Sequence, residues 1–493
     1  MKRIANPAVR RDRCRTRARG RWSTVALGAG LLAGCAAGPP YEVPSAPTPA
    51  KFKEAPVAGD TWLPAAPADA LDRGDWWTLF GDPDLDRLAA QVRVSNQNVA
   101  AAVAAYAQAQ ALVREQRAAF FPTLGLDASS RRLGGRGNTT TGNAYQMSLA
   151  AAWEPDLWGR LRSSVEAANA GAAASQADLA SARLSAQGEL AIDYFSLREA
   201  DAEIGLLRAT VEGYERSLQI TQNRYAAGVI AKTDVLQAQT QLANTRADLA
   251  ALQGQRARLE HAIAVLIGKA PGDFALAPAP WAGAAPSIPL IMPSLLLQRR
   301  PDIAAAERDV AAANAQIGIQ RSAYFPSLSL SGALGAAGAS VTELFSASGA
   351  LWSLGVSAGQ VLFDAGAISA RVSGAEAARD AAVARYRQTV LTAFQAVEDQ
   401  LATIRVLVEQ DALRREASSA ADATEAQIMN RYRAGQLSYT EVVTAQVSAL
   451  NARRALLQLA LARQSSAVSL IQALGGGWQA PISSDPSSSI ETP

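Results

Sequence analysis

The sequence predicts an α+β membrane protein, in which short β-hairpins from more than one chain close a barrel and long helices continue it as a tube. Three observations carry this. Residues 223–246 return 207 positions later as residues 430–453, with eleven of 24 positions identical. Two stretches of period-two alternation, each opened by an aromatic-Phe-Pro triplet, stand at matching places ahead of the repeated segments. No proline interrupts the chain between Pro155 and Pro271 or between Pro326 and Pro481, so each half has room for very long helices.

The chain begins with a leader, residues 1–34. Nine Lys/Arg and one acid precede and flank the short apolar stretch 25–32. That stretch suits a secretory signal and is too short to span a bilayer as a helix. It ends in Leu32-Ala33-Gly34-Cys35. The other cysteine, Cys14, lies inside the leader, so no disulfide is expected in the mature protomer. Without the leader the net charge of +3 becomes about −5, which removes the basic face that nucleic-acid binding requires. Residues 35–82 form an anchor and an extended Pro/Ala-rich tether.

The first repeat is expected over residues 83–270. A helix over residues 83–119 opens on Pro83, which fits a first helical turn, and carries Leu85, Leu88, Val92, Val99 and Val103 at helical spacing. Phe120-Phe121-Pro122 ends it. A hairpin over residues 123–155 follows: Leu124, Leu126 and Ala128 alternate with Gly125, Asp127 and Ser129, and Tyr145, Met147, Leu149 and Trp153 alternate with small or polar residues. The strand length of about ten residues and the one apolar face suit a membrane barrel.

A helix over residues 157–225, on the order of 100 Å at 1.5 Å per residue, carries Leu197, Ile204, Leu207, Val211, Tyr214, Leu218 and Tyr225 at heptad spacing. It ends at Gly228, where a helix C-cap favours glycine. Thr233 is the expected N-cap of the return helix, with Asp234 just inside it at the positive end of the helix dipole. Val235, Ala238, Leu242, Thr245, Leu249, Leu252, Leu259, Ile263 and Leu266 then follow a coiled-coil seam.

After a Pro/Ala linker, residues 271–294, the second repeat occupies residues 295–478. Its hairpin, residues 327–363, sets Leu328, Leu330 and Leu334 against serines, and Trp352, Leu354 and Val356 against Ser and Gly. A helix over residues 365–432 carries Phe394, Val397, Leu401, Ile404 and Val408, ends at Gly435, and is followed by Thr440 and Glu441 in the places of Thr233 and Asp234. Residues 479–493 are a Ser-rich tail, expected to be disordered.

Four strands cannot close a barrel, and an open edge in lipid leaves backbone groups unpaired. Two protomers would give eight strands and a filled interior; three would give twelve and a lumen, which the Ser/Gly strand faces suit. Enzymatic function finds little support. His261 is the only histidine, which nearly excludes His-based triads and metal sites, and Gly134-Gly135-Arg136-Gly137 lies in a hairpin turn rather than between a strand and a helix. No cofactor is expected.

The ordered set of motifs resembles the outer membrane factor family, the lipoprotein channels of bacterial tripartite RND-type efflux systems. The matching residues are 32–35, 75–80 with Asp84-Leu85, the Phe-Pro triplets, Trp153-Glu154-Pro155-Asp156-Leu157-Trp158-Gly159-Arg160, 295–307 and both Arg-Tyr-x-x-Gly tips. The resemblance implies a homotrimer with one twelve-stranded barrel, four strands per protomer, and a periplasmic α-helical barrel. It implies cleavage before Cys35, lipidation of that residue, and an outer-membrane location in a Gram-negative bacterium. The implied role is a passive exit duct for drugs or other small toxic compounds, opened at its tip by a periplasmic adaptor protein joined to an inner-membrane transporter. Asp234, Glu441, Thr444, Tyr225 and Tyr432 match the aperture; Arg224, Gly228, Arg431 and Gly435 match the adaptor-contacting tip. Channels for type I protein secretion or metal-ion efflux share this architecture, and a lipid-anchored coiled coil or adhesin is the non-conducting alternative.

Overall fold

The computed structural model describes residues 38–54, 74–134, 142–286, 288 and 299–477. Cys35, the leader and the tail, and most of residues 289–298, lie outside them. The chain divides into two compact units. One holds the residues up to Tyr41, Arg114–Ala167 and Ala313–Ala377; the other holds Glu42–Val113, Ala168–Ala312 and the chain from Ala378 onward. In order, the elements are α1 (Pro83–Ser95), α2 (Gln97–Ala118), β1 (Thr123–Leu133), β2 (Gly142–Trp153), α3 (Arg160–Ala226), α4 (Lys232–Leu266), α5 (Pro301–Ser322), β3 (Ser327–Gly338), β4 (Ala350–Gly359), α6 (Ala367–Arg433) and α7 (Tyr439–Ala473).

In the strand unit the two hairpins join into one antiparallel sheet of order β1-β2-β3-β4. Its register lines up Leu126, Leu149, Leu334 and Trp352 in one row, and Leu124, Ala151, Gly332 and Leu354 in the next. Because side chains alternate between faces, these rows share one face. The other carries Ser329 against Ser357, Ser331 against Gly355, and Asp127, Ser148 and Gly335 in a row. The apolar face is bare in the protomer: Leu126 is 70% exposed, Trp352 80% and Leu354 79%. The outer edges of β1 and β4 have no partner strand among the described residues.

The motif after β2 sets the turn from strand to helix. Asp156 accepts backbone N–H bonds from Leu161 and Arg162 at 3.0 Å each, which caps α3, while Glu154 holds Arg160 at 2.8 Å. Trp158 donates from Nε1 to the Pro326 carbonyl at 2.6 Å and stacks on Phe325 with ring centres 4.9 Å apart, tying the two strand-to-helix crossings together. Asp364 repeats the cap for α6, accepting from Gly366 and Ile368 at 2.9 and 2.6 Å, and these N–H groups hold its carboxyl below the usual carboxylate range.

The helical unit is centred on an apolar core of Trp76, Trp77, Leu85, Leu88 and Val92 against Leu190, Tyr194, Phe195 and Leu197 of α3, Ile263 and Leu266 of α4, and Val468 and Ile471 of α7. Arg198, fully buried, is neutralised within it: it reaches Tyr194 Oη at 3.0 Å, Asp84 at 3.1 Å, Asp201 at 3.2 Å and the Ala277 carbonyl at 2.8 Å. The seam positions of α4 are buried at Val235, Ala238, Leu242, Thr245, Leu252, Ile263 and Leu266. Residues 42–54 are fastened to α6. Phe52 is buried against Phe394, and the Glu398 carboxylate accepts the backbone N–H groups of Lys53 and Glu54 at 2.7 and 2.9 Å.

Two expectations change. The single helix over residues 83–119 is broken at Asn96, whose Oδ1 caps α2 by accepting from Asn98 and Val99 at 2.9 and 3.1 Å, while Nδ2 donates to the Leu266 carbonyl at 2.8 Å. Thr233 and Thr440 are not N-caps. Those places belong to Ala231 and Ser438, which have extended backbone and no side-chain cap bond, so both threonines sit one residue inside the first turn. No described helix is long and apolar enough to cross a membrane.

Candidate functional site at the two helical turns

The α3–α4 and α6–α7 turns are built alike. Gly228 and Gly435 hold φ of 73° and 75°, the left-handed region open to glycine. In each, the glycine N–H returns to the tyrosine carbonyl three residues back at 2.9 Å (Tyr225, Tyr432), and the next N–H returns to the arginine carbonyl five back at 2.9 Å (Val229 to Arg224, Gln436 to Arg431). This is a Schellman closure, which satisfies carbonyls that the helix end leaves free. Further back, Arg246 pairs with Glu215 at 2.6 Å, and at the matched positions Arg453 pairs with Asp422 at 2.8 Å.

Asp234 and Glu441 are both the third residue of their helices, α4 and α7, where a carboxylate faces the unpaired N–H groups of the first turn. Asp234 is half-buried and Glu441 exposed. Thr444 is exposed, its hydroxyl donating back to the Thr440 carbonyl at 3.0 Å.

The two turns meet within the chain through side chains. Arg224 donates from Nη1 to the Tyr432 carbonyl at 2.9 Å and lies over the Tyr432 ring, 4.7 Å from its centre. Thr440 donates to Gln237 Oε1 at 3.2 Å. Tyr432 packs with Tyr439, Ala238 and Val442 in a small core, ring centres of the two tyrosines 5.5 Å apart. The Tyr439 and Ser217 hydroxyls are 3.3 Å apart. Burial pushes the Tyr439 phenol above its ordinary range, with the Asp234 carboxylate adding to the effect.

Of the aperture candidates, then, Asp234, Glu441, Thr444 and Tyr225 have some or all of their surface open, whereas Tyr432 is a core residue at 2% exposed. Of the tip candidates, Arg224 is engaged with Tyr432 and half-buried, while Arg431, Gly228 and Gly435 are exposed. Sequence reasoning missed Tyr439 and the Thr440–Gln237 link. The signal for Tyr439 was there, because Tyr439, Val442, Gln446 and Ala449 alternate steps of three and four and all four are buried.

Comparison with known proteins gives the arrangement a family. The model of the outer membrane efflux protein family matches residues 88–269 and again 292–476. A probable efflux pump outer membrane protein, TtgC of Pseudomonas putida, is 31% identical over 479 residues, covering 95% of this chain and 98% of its own. The cation efflux system protein CusC of Escherichia coli K12 is 30% identical over 449 residues, 90% of this chain and 97% of its own. Among solved structures, the outer-membrane channel OprN superposes with a TM-score of 0.82 at 32% identity, covering 90% of this chain and all of its own. Matched in both halves and over nearly its whole length, the chain belongs to the outer membrane efflux protein family and is an outer-membrane channel of an efflux system.

Proposed function

We propose that three copies of this chain close one twelve-stranded barrel in the outer membrane, each giving four strands, and that their helices enclose a periplasmic duct. The observation that carries this is the four-stranded sheet itself. It has a bare apolar face, a Ser/Gly face opposite, and unpaired outer edges on β1 and β4. Lipid tolerates the apolar face but not the edges, so neighbours must pair them. Twelve strands leave an aqueous lumen that eight would fill with side chains. Lipid on Cys35 would add a second attachment to the outer membrane.

The duct is passive. Asp234, Glu441 and Thr444, three copies each, would ring its periplasmic aperture, with Tyr225 at its margin and Tyr432 supporting it from the core. Rings of carboxylates attract cations and repel one another, which favours opening once the contacts around them are loosened. A periplasmic adaptor protein would engage the turns at Gly228 and Gly435 with the flanking arginines, and couple the channel to an inner-membrane RND-type transporter. The cargo proposed is small toxic organic compounds, as in the efflux system named for TtgC; the name of CusC makes metal cations the competing cargo.

Purified protein in planar bilayers tests the reading. Wild type should conduct, and Asp234→Ala with Glu441→Ala should alter conductance and weaken cation preference; unchanged currents would take both acids out of the aperture. Cys35→Ser should abolish incorporation of radioactive fatty acid, and label retained in that variant would place the lipid elsewhere. Susceptibility of a deletion strain to organic solvents, antibiotics and metal cations separates the two cargo classes.

A further inference from the structure

The chain carries one tip interface completed and the two halves of a second left open. Within the chain the first turn presents Arg224 and Gln237, and the second receives them with Tyr432 and Thr440. Shifted by 207 positions, Arg224 becomes Arg431, Tyr432 becomes Tyr225, Thr440 becomes Thr233 and Gln237 becomes Thr444. The second turn therefore also presents an arginine, and the first also offers a tyrosine to receive one. Neither is used in the protomer: Arg431 is exposed, and Tyr225 is 45% exposed where Tyr432 is 2%.

The substitution of one turn for the other is justified by geometry as well as by sequence. Both turns close with the same bonds at the same lengths, and the Arg246–Glu215 and Arg453–Asp422 pairs brace the two hairpins at matched positions. A surface that fits the second turn onto the first thus has its like on the free side of each. Such head-to-tail surfaces, present on one chain at opposite ends of a repeat, are what closes a ring of identical copies.

We propose that Arg431 of one copy lies over the Tyr225 ring of the next and donates to its backbone carbonyl, as Arg224 does to Tyr432 within the chain, and that the Thr444 and Thr233 hydroxyls meet across the same seam. The occupant is a second copy of this chain, because it alone carries both complementary halves. The proposal rests on the oligomeric channel reading and deepens it by naming a contact that holds the tip closed between protomers. It departs from the plain assignment of Arg431 to the adaptor, which would meet this arginine only after the seam parts.

The test uses the full-length oligomer in detergent. Tyr225→Cys combined with Arg431→Cys, treated with the short thiol cross-linker dibromobimane, should give covalent dimers and trimers on denaturing gels. Arg224→Cys with Tyr432→Cys should be bridged within single chains. Light scattering of the same samples keeps the two levels apart. An intact trimer that yields only single-chain product from Tyr225→Cys/Arg431→Cys overturns the seam and leaves the channel standing; a protein that is monomeric and does not conduct overturns both. A second readout avoids cysteines. Arg431→Ala and Tyr225→Ala should each raise open probability about two- to fivefold, the range of an exposed cation–π contact, and the double substitution should add nothing further. Additive effects would show that the two residues act apart and would refute the pairing.

Discussion

Helices α3 and α6 are both 67 residues long and run in register 207 positions apart, yet they live in different surroundings. Along α3 the matched seam is covered: Leu197 and Leu207 are fully buried, and even the acids Glu199 and Glu203 are buried. On α6 the seam begins buried at Val397 and Leu401 and then comes to the surface, with Val406, Val408 and Leu413 at 44, 55 and 65% exposed. The tips invert the order, with Tyr432 of α6 buried and Tyr225 of α3 open. Similar helices thus differ in what lies beside them, and the uncovered apolar positions are the ones a neighbouring chain would cover.

The tyrosines give the largest expected effect. Tyr432→Ala empties a packed site and should lower stability by about 3–5 kcal/mol, read from denaturant unfolding in detergent. Tyr225→Ala should cost far less in dissociated protomers, where that ring packs on little. Tyr432→Phe sharpens the point. The Tyr432 hydroxyl is buried and finds no hydrogen-bond partner among the described residues, so its removal should be neutral or stabilising by up to about 1 kcal/mol. Equal losses for the two alanine variants in the protomer would break the comparison.

The buried acids come next. Burial first, and then the neighbouring Glu203, push the Glu199 carboxyl up to about 7, with the charge of Arg454 working the other way. Arg454 of α7 holds Glu203 at 2.6 Å and approaches Asp248 of α4 at 3.7 Å, so the facing helices supply one cation to the group. A carboxyl raised in the folded state favours folding in full below its unfolded value, and that contribution is lost as pH rises through the folded one. Glu199→Gln keeps the neutral form. It should match wild type near pH 4 and exceed it above pH 7 by on the order of 1–3 kcal/mol, measured as thermal unfolding at the two pH values. At the matched place α6 has Val406, so no such pH dependence should come from its side.

How much of this was legible in the sequence follows from the range of each interaction. Period-two and heptad patterns are local, and they located β1, the strand faces and the α4 seam residue by residue. The break at Asn96 was hidden because Val92 and Val99 keep the helical spacing across it, while the cap depends on a carbonyl at Leu266, 170 positions away. Thr233 and Thr440 are good cap residues in the right neighbourhood, but the backbone turns helical one residue earlier than a capping threonine requires. The pairing of β2 with β3, and the contact of Arg224 with Tyr432, join segments nearly 200 residues apart; no spacing rule reports them. At the tip the two arginines, like the two tyrosines, are one residue type in one motif. Which of them is buried is decided by a neighbour that the motif does not contain.

The glycines supply the smallest effect and the strictest check, because they separate local geometry from surroundings. Gly228 and Gly435 share one backbone conformation, and neither has backbone close enough to obstruct a methyl group: a Cβ at Gly228 meets open space, and one at Gly435 meets only Arg224 Nη2 at 3.8 Å. Alanine at either position should therefore cost the left-handed conformation alone, about 1–2 kcal/mol, and by the same amount in both turns. Tyrosine substitutions should divide the turns, and glycine substitutions should not. If Gly435→Ala proved much costlier than Gly228→Ala in unfolding of the dissociated protomer, the turns would differ in backbone strain, and transfer of contacts from one to the other would lose its basis.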